Sequence, residues 1–117
     1  MGRSESGAAH YNRTFLKILR DALEEVFGRQ AAGVLLKHIE QYYNLKWEET
    51  PENPEVFAEA LNKVLGESSS VLENVIIQRL RAELNLKEGK SFTDIRKMRK
   101  DFIKSQQKLR QERSRSP

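Results

Sequence analysis

Few residues in this chain have the type and spacing that chemistry demands. There are two histidines, His10 and His38, and no cysteine. Without Cys there is no disulfide scaffold, no thiolate zinc site and no thiol nucleophile. His38 and Glu40 are two positions apart on a helical pattern, so they diverge and do not share an ion. Ser68-Ser69-Ser70 lies where a helix needs a cap, with no Gly-x-Ser-x-Gly elbow around it, so capping is its expected role. Glu24-Glu25 and Glu48-Glu49 are neighbouring surface carboxylates rather than a converging acid–base pair. The glycines are isolated, and no phosphate-cradling loop occurs. The expectation is therefore no enzyme, no cofactor and no metal; a small-molecule ligand is not expected either.

The segment with chemical character is basic. Residues 90–117 hold ten Lys and Arg against Asp94, Asp101 and Glu112, a net charge of +7. Residues 1–89 hold 11 basic and 14 acidic residues, a net of −3, which together give the chain's +4. On a helical wheel at about 100° per residue, the tail separates into stripes. Phe92, Ile95, Met98, Phe102 and Leu109 form an apolar stripe. Lys97, Lys100, Lys104 and Lys108, with Arg96, Arg99, Arg110 and Arg113, form a basic one suited to phosphate or to an acidic partner; the alternative is a solvated tail that aids solubility. The apolar stripe has three candidate uses: docking on the body, pairing two tails in a dimer, or lying on an anionic membrane or in a partner's groove. No set of base-reading side chains accompanies the lysines, so any nucleic acid, DNA or RNA, would be held with low sequence specificity.

The remaining pattern describes what must carry this tail. Apolar residues at helical spacing, with no strand alternation, give an all-α fold. Residues 1–11 are small and polar and are expected to be disordered, with Asn12 capping the first helix. Its inward face is Phe15, Leu16, Ile18, Leu19, Ala22, Leu23, Val26 and Phe27, and Gly28 stops it. The second helix, from about Gln30, turns Ala32, Leu35, Leu36, Ile39, Tyr42 and Tyr43 inward and stops at Asn44-Leu45. Tyr42, Tyr43 and Trp47 are expected to cover the end of the core; the alternative is an exposed contact patch, since Tyr and Trp serve as interface anchors. A linker with a short turn near Trp47 leads to Asn53-Pro54, a cap followed by proline at the first helical position. The third helix turns Val56, Phe57, Ala60, Leu61, Val64 and Leu65 inward and stops at Gly66. The fourth, bearing Leu72, Val75, Ile76, Ile77, Leu80 and Leu84, stops at Asn85-Leu86. Leu36, Ile39, Phe57, Leu61, Ile76 and Leu80 are expected to be buried together.

Two stretches match each other. Ala22-Leu23-x-x-Val26-Phe27-Gly28 corresponds to Ala60-Leu61-x-x-Val64-Leu65-Gly66, and Tyr43-Asn44-Leu45 to Leu84-Asn85-Leu86. The domain over residues 12–86 then reads as a four-helix body of two duplicated αα-hairpins, each covering the bare face of the other. Residues 87–117 add a loop, the basic amphipathic helix and a frayed end.

The Ala-Leu-x-x-Val-(Phe/Leu)-Gly pattern, the stop at Tyr43-Asn44-Leu45, the Pro51–Pro54 linker and the second copy at Phe57–Gly66 resemble small archaeal helical domains of the Nitrosopumilus output domain type, over about residues 15–86. The resemblance implies a helical fold and a regulatory, signal-output or interaction role, with no catalytic site to carry over. The expected partner is a protein or a second copy of the chain; the alternative is DNA or RNA held through the C-terminal helix. No apolar run is long enough to cross a membrane, and the first ten residues lack the apolar stretch of a secretory leader. A cytoplasmic setting is expected.

Overall fold

A computed structural model describes residues 7–115, with side chains through residue 108. Its five α-helices are α1 (Gly7–Phe27), α2 (Arg29–Tyr43), α3 (Pro54–Leu65), α4 (Ser69–Leu84) and α5 (Ile95–Arg115). Short 3-10 turns lie at Trp47–Glu52, Gly66–Ser68 and Phe92–Asp94. The fold is all-α, and no strand occurs among the described residues. Among those residues no helix is long and apolar enough to cross a membrane.

The stops fall where residue type requires them. Gly28 and Gly66 take positive φ, 87° and 60°, which a side chain would disfavour. Asn44 and Asn85 both adopt the left-handed conformation. After Asn85, the Leu86 amide donates to the Arg81 carbonyl at 2.9 Å, and Leu86 folds back against the core. This is the Schellman arrangement, which satisfies a carbonyl that the ending helix leaves open. Pro54 opens α3 at its first position. The paired stops predicted from the internal match are therefore present locally.

The two halves bury their helices differently. α4 buries Leu72, Ile76, Ile77, Leu80 and Leu84, whereas α2 buries only Ala32 and Ile39. Of the six residues expected to be buried together, five are; Leu36 is only half-buried. Val26, Val64 and Tyr42, expected to face inward, are exposed. α2 lies at the edge of the bundle, packed mainly against α1 and α3. One narrow line of a helix meets such a support, and the rest of its apolar arc stays in water. Tyr43 and Trp47 do pack on the core, and the Arg20 guanidinium sits 5.3 Å from the centre of the Trp47 ring.

The first helix begins at Gly7, not at Asn12. Residues 7–11, expected to be disordered, are helical because α5 gives them a surface to pack on. Tyr11 is fully buried, and its hydroxyl donates to the Ile95 carbonyl at 3.4 Å. Asn12 does not cap; its side-chain oxygen accepts from Arg99 Nε at 3.2 Å. Gly7 lies against Ile103 and Gln106, His10 against Phe102, and Asn12 against Arg99, so α5 runs antiparallel to the first half of α1. The core is thus a single apolar cluster fed by all five helices, and it extends beyond residues 12–86. The expected disorder of residues 1–6 lies outside the described residues.

Candidate interaction surfaces

α5 begins at a built corner. The Asp94 carboxylate accepts from the Lys90 amide at 2.8 Å and the Ser91 amide at 3.2 Å. These bonds to backbone N–H groups hold its carboxyl below the usual carboxylate range, since they favour the charged form. Glu73 of α4 accepts from the Phe92 amide at 2.8 Å. The helix is therefore anchored before its first turn.

Its apolar stripe is spent on the body. Phe92, Ile95, Met98 and Phe102 are all buried, Ile95 completely. Phe102 meets His10 and Tyr11, with ring centres 5.6 and 6.2 Å apart. Burial also pushes the Tyr11 phenol well above its ordinary range, the nearby Arg99 charge pulling the other way. Of the three candidate uses, docking is the one realised. These four residues are not a free dimer seam and not a membrane-facing side. Leu109, Arg110 and Arg113 lie outside the residues whose side chains are described.

The basic stripe divides in two. Near the body, Arg96 pairs with Glu55 of α3, the Arg96 Nη2–Glu55 Oε2 bond measuring 3.1 Å. The Arg96 hydrogen bond holds the Glu55 carboxyl low, and Glu55 in turn raises the guanidinium. Lys97 Nζ lies 3.5 Å from Glu88, and Arg99 lies 3.8 Å from Glu52. Farther along, Lys100, Lys104 and Lys108 are exposed and have no ion-pair partner among the described residues. The eight predicted basic positions therefore differ: three are engaged by the protein's own acids, three are open, and Arg110 and Arg113 are not described.

A second surface escaped the sequence. At the far end of α1, Phe27, Ala31, Val34, Leu35, His38, Val64 and Leu65 line a groove of about 470 Å³ between α2 and α3. Val34 is 70% exposed, and Tyr42, about two turns farther along α2, 74%. The His38 and Tyr42 rings stack at 4.3 Å, and His38 is the only polar side chain in the lining. Periodicity alone read Leu35 and Tyr42 as core, because an apolar arc has the same signature whether or not a neighbour covers it. The width of that arc was the available signal: from Leu36 round to Val34 it exceeds what two supporting helices cover.

Among the described residues no group of three or more His, Asp or Glu lies close enough to hold a metal ion. The groups with displaced pKa values have structural partners: Asp94 caps a helix, Glu55 and Arg96 pair, and Tyr11 is sealed in the core. No family model matches the chain, and neither a curated protein nor a solved structure matches it.

Proposed function

We propose that this chain is a non-enzymatic, regulatory interaction module that takes an amphipathic helix of a protein partner into the groove between α2 and α3. One observation carries the reading. Among the described residues the apolar stripes of α1, α4 and α5 are mostly buried, yet a connected apolar groove stays open, with Val34 70% exposed at its rim. Connected apolar patches of this kind mark contact sites more often than scattered exposed residues do. The lining favours a helix as occupant. It offers side-chain carbon and a single imidazole, and no backbone edge to pair with an extended segment. A helix satisfies its own backbone groups and needs only an apolar stripe to seat between two helical ridges.

The test places a photo-reactive residue at Val34, or at exposed Gln78 of α4 as control, in the protein's native cells. A defined protein adduct from position 34 only, lost when Leu65→Glu is added, supports the reading. Equal labelling from both positions overturns it. Sedimentation of the purified protein provides the second arm. A dimer that Val34→Glu converts to monomer assigns the groove to a second copy and overturns the proposed partner.

A further inference from the structure

We infer that Lys100, Lys104 and Lys108 form a track for the phosphate backbone of a nucleic acid. This surface is separate from the apolar groove and independent of it. The starting point is the unequal fate of the basic residues on one helix. Acids from three segments, Glu52, Glu55 and Glu88, reach Arg99, Arg96 and Lys97. None of the described acids reaches the three lysines that follow. Asp101, the acid nearest in sequence, lines a cleft beside Gly89 with Arg81 and Lys90.

Spacing then selects the ligand. Residues four apart rise about 6 Å along a helix, so the three ammonium groups form a regular row about 12 Å long. A nucleic-acid strand offers a phosphate about every 3.4 Å of helix axis, a repeating anion that a regular row of point charges can follow. The row is held in place, since the opposite side of α5 is locked by Ile95, Met98 and Phe102. That same burial argues against a lipid surface. An interfacial helix inserts its apolar side into the bilayer, and this one has committed that side to α1. Arg96 and Arg99, whose planar forks could read guanine, are turned to carboxylates and Asn12. What remains exposed contacts backbone rather than bases, so binding is indifferent to sequence.

The engaged arginines make the inference sharper than a generic basic tail would. If Glu52 and Glu55 hold Arg99 and Arg96 away from phosphate, their amides release them. The experiment measures full-length protein on a short mixed-sequence DNA duplex and a single-stranded RNA, across roughly 50 to 200 mM salt. Each duplex phosphate contact contributes about 0.9 to the slope of log affinity against log salt. The Lys100→Gln, Lys104→Gln, Lys108→Gln variant should therefore lose about 2.7 of slope, equivalent to a roughly 40-fold salt effect over that range. Glu52→Gln with Glu55→Gln should tighten binding and steepen the slope. Val34→Glu should change neither, which separates failure here from failure of the groove reading. All these positions are exposed, so an unchanged thermal melt confirms folding. No binding at low salt by the full-length protein overturns the inference. So does a triple variant that keeps the wild-type slope, or tighter binding to polyglutamate or phosphatidylserine vesicles than to either nucleic acid.

Discussion

Replacing Phe102 by Ala tests whether α5 belongs to the cooperative fold. Phe102 is nearly fully buried, with His10 and Tyr11 against its ring. Truncating a core phenylalanine costs about 3–5 kcal/mol, of which aromatic pairing supplies about 0.5–1.5. The opposing wall here includes the first turns of α1, which can relax toward the cavity, so the low end applies: about 3 kcal/mol. For a domain of this size that is a fall in Tm of roughly 12 °C. Urea unfolding followed by circular dichroism gives the cost. Fluorescence of Trp47, the chain's one tryptophan, reports on the body, where its ring lies against Arg20 of α1. If α5 is integral, both signals shift together with an unchanged m-value. A cost below about 0.5 kcal/mol, the range of surface changes, would refute the docking argument. So would helicity lost in a separate early step while Trp47 keeps its wild-type midpoint.

Two further outcomes follow from the corner before α5. Gly89 has φ +133°, and a Cβ there would lie 2.5 Å from Met98 Sδ. Gly89→Ala should therefore destabilise by more than about 1 kcal/mol in urea, combining backbone strain with a displaced core side chain. Asp94→Asn should lower Tm at neutral pH, and its deficit against wild type should shrink in acid. The folded-state carboxyl titrates below its unfolded value, so its contribution is complete above about pH 5 and fades as pH falls below about 4. Thermal melts from neutral to about pH 3 check this; a deficit that grows in acid contradicts it.

What the sequence made legible is what local chemistry decides. Asn44 and Asn85 could be read as stops because Asn tolerates left-handed backbone, and Pro54 as a start because its ring suits the first helical position. The striping of α5 could be read because a period of 3.6 needs no knowledge of neighbours. What could not be read depends on partners distant in sequence. Tyr11 looked like part of a polar leader because its cover, Phe102 and Ile95, comes more than eighty residues later. Asn12 has the composition of a cap, yet Arg99 captured its side chain. Lys97 and Lys100 are alike as sequence, and only Glu88 distinguishes them. The duplicated pattern likewise fixes equivalent stops but not equivalent burial. Which copy becomes central depends on what α1 packs against, and α1 meets α4 and α5 as well as α2.

The same packing decides how the surfaces relate and how each can be probed. Phe27, the last residue of α1, lines the apolar groove, while Gly7, its first described residue, lies against Gln106, level with the lysine row along α5 but on its α1-facing side. Twenty residues of helix separate those ends by about 30 Å, within the molecule's 54 Å length. A helix about 10–12 Å across and short enough to seat only in the groove leaves the lysines clear. Occupancy at one end then leaves the other sterically free, and coupling between them would have to pass through α1 itself. Removing α5 does not separate these properties. Truncation before Phe92 discards the lysines together with Ile95, Met98 and Phe102, and uncovers Tyr11. A loss of binding in such a fragment would confound charge with folding. The charge of α5 is therefore addressed one exposed side chain at a time, with its buried side left intact.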